Sequence, residues 1–253
     1  MDKLAFTSLA AVQSATQIRA QITNSMANVS TVGFKDSYEV AAQAIKLDGA
    51  GYQSRFQPAV KARDIISLQP GVLTQTGNPM DVSFNDKTVL GVQAADGAIA
   101  FTRRGDLRVT STGVIENAAG HLVLGEAGPI TVPAGMLVTL SSDGTVFASS
   151  PTESEVPPVA VGNLMLRDAS VTPLIRREDG LFQPLDLEFR GIDFPTGPGV
   201  ASLQSGTLEG SNVNPIETMI KLMDFSRSFE AQIKMITQTK SIDETGSSMM
   251  RLP

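Results

Sequence analysis

Ala27-Asn28-Val29-Ser30-Thr31-Val32-Gly33-Phe34-Lys35 is the stretch that decides how this chain is organised. Upstream of it, Leu4, Ala11, Ala15, Ile18, Ile22 and Val29 recur at steps of three, four or seven. That spacing places apolar residues on one face of a helix. Within the stretch the pattern breaks. Asn28, Ser30 and Thr31 carry short polar side chains that can bond the freed backbone groups of a terminating helix. Gly33 permits the positive φ with which a chain turns away. Phe34 would then supply an aromatic anchor directed back against a helix pair. The prediction is one helix over residues 4–34 with an abrupt departure at its end.

That helix is nearly uncharged. Thr7, Ser8, Gln13, Ser14, Thr16, Gln17, Gln21, Thr23, Asn24 and Ser25 occupy its outer positions, and Arg19 is the only charge between Lys3 and Lys35. A solvated surface helix carries alternating charges. A helix of Ala, Ser, Thr and Gln instead lets neighbouring backbones approach closely, which predicts protein on several of its sides. At the other end of the chain, Asn214-Pro215-Ile216-Glu217 reads as an N-cap, a first-turn proline and an acidic helix start. The helix that follows carries a stripe through Ile216, Met219, Ile220, Met223, Phe229, Ile233 and Ile236. Glu217–Lys221 and Glu230–Lys234 stand at i,i+4 on its charged side.

Between the helices the signals are those of strands and turns. Gly77-Asn78-Pro79, Ala95-Asp96-Gly97-Ala98, Arg104-Gly105-Asp106, Asn117-Ala118-Ala119-Gly120 and Ser142-Asp143-Gly144-Thr145 punctuate short apolar runs. Such spacing predicts an antiparallel sandwich or barrel. Residues 149–160 read as a surface excursion, and Pro195-Thr196-Gly197-Pro198-Gly199 as the way out of the β region. The fold class expected is α+β: long N- and C-terminal helices paired as a coiled-coil-like unit, with an antiparallel β-rich domain inserted. Residues 1–35 and 211–253 would form the helical domain, 36–80 and 195–210 connecting arms, and 81–194 the β domain.

Composition excludes several functions. With 253 residues, a net charge of −6 and a pI near 4.9, the chain lacks the basic surface that phosphate contacts require, so nucleic acid is not an expected partner. It has no cysteine and one histidine, His121, which lies in a strand-like run. No catalytic, cofactor-binding or metal-binding residues are therefore assigned, and no cofactor is expected. The Arg104-Gly105-Asp106 tripeptide falls in an expected turn. No run of eighteen apolar residues offers a membrane span. The start Lys3-Leu4-Ala5-Phe6 has signal-like features. Asp2 offsets Lys3, however, Thr7 and Ser8 interrupt the apolar run, and the helical pattern continues past any cleavage site. No cleaved signal is expected.

The opening stretch resembles the ANxxTxGFK signature of bacterial flagellar axial proteins, complete at Ala27, Asn28, Thr31, Gly33, Phe34 and Lys35. Gln69-Pro70-Gly71-Val72-Leu73-Thr74-Gln75-Thr76-Gly77-Asn78-Pro79-Met80-Asp81-Val82 is similar to the family's Q-x-G-x-L-x-x-T-G-N-P-L-D-[LV] segment. Gly206-Thr207-Leu208-Glu209-Gly210-Ser211-Asn212-Val213 is similar to its G-x-L-E-x-S-N-V motif, and Arg227 and Phe229 match its R-x-[FY]-E position. The phrase Gly125-Glu126-Ala127-Gly128-Pro129-Ile130 most resembles the proximal-rod branch.

The resemblance implies a structural, non-enzymatic subunit of the flagellar rod, assembling helically through its ends to transmit torque and line the export channel. The implied assembly residues are Leu4, Ala11, Ile18, Ile22, Ala27, Asn28, Thr31, Gly33, Phe34, Asn212, Val213, Ile216, Ile220, Met223, Arg227, Phe229, Ile233 and Ile236. The implied partners are copies of itself, other rod proteins and the flagellar export apparatus. The implied location is the rod that spans the periplasm. The C-terminal helix would line the bore, with the N-terminal helix outside it. A distal-rod or hook-type subunit is the alternative within the family. A secreted β-rich adhesin or carbohydrate-binding domain is the alternative outside it.

Overall fold

The computed structural model describes residues 2–38, 43–46, 56–59, 65–151 and 157–250. The chain divides into two units. One comprises Met1–Ala27, Glu39–Arg63 and Asn214–Pro253, and the other Asn28–Tyr38 and Asp64–Val213.

The second unit is built of β-strands, with one 3-10 turn at Leu187–Phe189 among the described residues. Among the described residues its main sheet has eleven strands. At the centre Thr88–Gln93 pairs with Ile99–Thr102, Leu122–Gly125 and Leu166–Asp168, always antiparallel. The hairpin between the first two turns through Gly97 at φ +82°, with Asp96 Oδ1 accepting from the Ala98 N–H. This is the tight turn that Ala95-Asp96-Gly97-Ala98 predicts. Leu137–Leu140, Thr145–Ser149 and Val159–Asn163 form a separate three-stranded sheet. Of the excursion expected over 149–160, residues 152–156 lie outside the described residues.

Thr88–Gln93 is buried along nearly its whole length, so it reads as a continuous apolar run and not as an alternating one. The main core collects Val82, Leu90, Val92, Ala100, Ile115, Val123, Val146 and Leu203. A second cluster gathers Ile66, Val89, Phe101, Leu174, Phe182 and Phe194, in which Phe101 and Phe194 meet edge to face at 4.6 Å.

The first unit holds the two terminal helices, α1 (Asp2–Ala27) and α2 (Pro215–Met250), with a hairpin of Gln43–Lys46 and Phe56–Ala59. The expected N-cap of α2 is present: Asn214 Oδ1 accepts from the N–H groups of Ile216 and Glu217 at 3.1 and 3.4 Å. α1 stops at Ala27, seven residues before the position expected for its end, because the Asn28–Gly33 turn begins the other unit.

The expected fold class requires correction. The chain is mainly β, with one shorter N-terminal and one C-terminal helix, and the helices do not form the coiled-coil-like pair expected. α1 and α2 touch within their unit. The apolar stripe read from the sequence, however, does not fill a seam between them. Ile216, Met219, Ile220 and Met223 are 70, 50, 53 and 55% exposed. Among the described residues, the covered positions of α2 are instead Thr218, Leu222, Phe225, Phe229, Gln232, Ile236, Thr239 and Gly246, on the opposite side of the helix. Only two of these, Leu222 and Ile236, are aliphatic as a heptad seam favours: Thr218, Gln232 and Thr239 are polar, Gly246 has no side chain, and Phe225 stacks on Phe229 within the same helix. The sequence stripe had combined residues from two faces, since Phe229 and Ile236 belong to the covered side and Ile216, Met219, Ile220 and Met223 to the open one.

Candidate functional site

The three sequence motifs meet in the β unit. Lys35, from the end of the opening stretch, is fully buried and donates from Nζ to Glu209 Oε1 at 2.6 Å and to the Gln69 carbonyl at 2.9 Å. Glu209 ends the strand Thr207–Glu209, which pairs with Leu73–Gln75. Its Oε1 also accepts from the Gly71 N–H at 2.9 Å, and its Oε2 accepts from Arg103 Nε at 2.8 Å. Arg103 follows Ile99–Thr102, is fully buried, and donates further to the carbonyls of Asp86 and Phe84. One carboxylate thus pairs with two cations away from water, and backbone carbonyls accept further hydrogens from both. Removing Glu209 would cost about 3–5 kcal/mol, because two buried cations are left uncompensated.

Backbone contacts tighten the same clasp. The Gly33 N–H donates to the Glu209 carbonyl at 2.7 Å. Gly33 has φ +69°, and a Cβ there would stand 2.4 Å from the Arg103 carbonyl oxygen, so glycine is required both for the turn and for the approach. Asn212 binds on two sides: its Oδ1 accepts from the Asp36 N–H at 2.6 Å and its Nδ2 donates to the Ser67 carbonyl at 2.9 Å. Arg176 lies 4.1 Å over the Phe34 ring and donates to the Lys35 carbonyl. Burial first, then the Arg103 guanidinium, lowers the Lys35 ammonium from 10.5 to about 8, against the opposing pull of Glu209.

Of the residues singled out in the sequence, the structure gathers Asn28, Thr31, Gly33, Phe34, Asn212 and Val213 in the β unit. Thr31 Oγ1 donates to Asn28 Oδ1 at 3.0 Å, and Val213 is buried. Phe34 lies under Arg176 within this unit. Ile18 and Ile22 are half-buried on α1 and Ala27 is exposed. The side chains of Leu4 and Ala11 lie outside the described residues.

On α2, Ile216, Ile220, Met223, Arg227 and Ile233 are exposed, while Phe229 and Ile236 are half-buried. The Glu217–Lys221 pair forms at 2.8 Å, and Arg227 stands 3.9 Å from Asp224. Arg104 and Asp106 close on each other at 2.8 Å across their turn, and a Cβ on Gly105 would collide with the Val82 carbonyl, so the tripeptide is bound up in the fold. Sequence reasoning missed Arg103 and the joint role of Lys35 and Glu209. The available signal was that two family motifs, far apart in the chain, carry opposite charges.

The β unit, whose incoming and outgoing segments are clasped together, carries the motifs that resemble the flagellar axial class. The comparisons agree. A family described as "Flagellar hook protein FlgE/F/G D1 domain" matches residues 87–148, and "Flagellar basal body rod FlgEFG protein C-terminal" matches residues 204–249. The chain is 37% identical to a flagellar basal-body rod protein FlgF of Salmonella typhimurium, over 96% of this chain and 95% of the relative. It is 33% identical to the FlgF of Escherichia coli, over 100% and 98%. A FlgG rod protein of Buchnera aphidicola is 27% identical over 85% of this chain and 87% of its own length. The chain belongs to the family of flagellar basal-body rod proteins, within which it is most like FlgF, and it is a structural subunit.

Proposed function

We propose that this subunit of the proximal rod joins other rod proteins through its terminal helices, and that it acts by assembly and not by catalysis. The observation that carries this reading is the open line on α2. Ile216, Met219, Ile220 and Met223 project from one side over two turns, in the part of the chain matched by the rod C-terminal family. A run of large apolar side chains exposed on one helix face is a surface to be covered by protein.

Farther along the same face the line continues as Arg227, Glu230 and Lys234, all exposed. In this reading the apolar half of the helix contacts neighbouring subunits and the charged half faces a water-filled bore. Torque then passes through the helix contacts, while the β unit supplies a further contact surface. The subunit would reach the rod through the flagellar export apparatus without a cleaved signal and take its place in the periplasm. Among the described residues no helix is long and apolar enough to cross a membrane.

The test is incorporation. Ile220→Glu and Met223→Glu place charge on the open line without touching the buried clasp. Cells carrying either variant should lose the subunit from purified basal bodies and lose motility, while the isolated protein keeps its β circular-dichroism signal. Normal incorporation of both variants would overturn this assignment of the α2 face.

A further inference from the structure

We propose that the Lys35–Glu209–Arg103 cluster is a proton-operated latch, in which loss of the surplus proton from Lys35 tightens the hold of the β unit on its two connecting segments. Three observations carry it. Two cations share one carboxylate, so the cluster holds an uncompensated positive charge. Lys35 and Arg103 are fully buried and Glu209 is 1% exposed, so solvent does not screen that charge. The three residues also come from three segments that converge here: the incoming stretch at residues 33–36, Arg103 just after its strand, and the outgoing stretch at residues 209–212.

The groups facing Lys35 are few. Arg103 and Glu209 approach from their strands and Gln69 presents a carbonyl. Arg176 binds the Lys35 carbonyl, the Asp36 N–H is held by Asn212, and Asp86 contributes its backbone carbonyl to Arg103. When Lys35 releases its proton to solvent, a neutral amine remains. It still has hydrogens for Glu209 and Gln69, and Arg103 and Glu209 are left as an equal pair. Arg103 cannot play this part, because a guanidinium keeps its proton.

The direction of the pH effect follows. In the folded protein Lys35 titrates at about 8, whereas in the unfolded chain it returns to 10.5. Between those values the unfolded chain binds more protons, so stability rises with pH. Below pH 8 both states are protonated and this contribution is flat. With no cysteine and one histidine, few other side chains titrate between pH 7.5 and 9.5.

Two measurements on the full chain decide the matter. In the first, the lysine side chains are isotope-labelled and the Cε resonance of Lys35 is followed against pH. A midpoint near 8 supports the latch, and a midpoint at or above 10 overturns it. In the second, urea midpoints are compared at pH 7.5 and 9.5. The wild type should gain resistance, and Lys35→Met should lose that gain. An equal gain in both proteins overturns the proposal. If Lys35→Met does not fold, the resonance titration of the wild type decides alone. Neither outcome bears on rod incorporation, which rests on the α2 face.

Discussion

Gly33 and Glu209 show how much of this protein depends on single atoms. A methyl group at position 33 would have to occupy a positive-φ conformation and displace the Arg103 carbonyl from 2.4 Å. Gly33→Ala should therefore lower unfolding stability by about 1–3 kcal/mol in urea denaturation. Gly77→Ala provides the control: it shares a positive φ, +74°, but has open space around the added carbon, so only the conformational part of the cost remains. Equal losses for the two would mean that the close approach at Arg103 contributes nothing. Gly33 was legible in advance as a turn glycine, since its place after a polar helix end required positive φ. Arg103 was not, because an arginine in a strand-turn sequence looks solvated until a carboxylate more than a hundred residues later is placed beside it.

At the scale of elements, α2 is the part whose start was read accurately and whose face was not. The Asn214-Pro215 cap is local chemistry and needs no tertiary partner to be recognised. Asn214→Ala should cost about 1 kcal/mol and fray the first turn, seen as faster amide exchange at Ile216 and Glu217. An unchanged exchange rate at both would show that the cap bonds are not made in solution. The face is a different matter. Apolar residues are common on both sides of α2, so a periodic pattern can be drawn along either. Only the packing shows that Leu222, Phe225 and Phe229 are the covered set. Helices of this kind draw most of their stability from what packs against them, and α2 is exposed along most of its length.

For the whole molecule this contrast sets an order of stability. The β unit has two buried clusters and the clasped charges, while α2 leaves large apolar side chains in water. Limited proteolysis of the isolated subunit should therefore cut within residues 1–27 and 214–250 before it cuts within residues 65–151, leaving a resistant β fragment. The same sites should become protected in assembled rods. Equal protection of helices and β unit in the free subunit would contradict the view that the helices wait for neighbours.

By itself, the sequence determined the placement of the two terminal helices, the β character of the region between them, the turns that glycine, proline and asparagine impose, and the family. Each of these depends on residues close together in the chain or on strings that can be matched directly. Tertiary structure alone decided that the helices do not close on each other as a coiled-coil-like pair, which face of α2 remains open, and that Lys35, Arg103 and Glu209 form one buried cluster. The physical reason is the same in all three. Burial and charge pairing depend on distance in space, and residues 35, 103 and 209 come within hydrogen-bonding reach only when the β unit has closed around them.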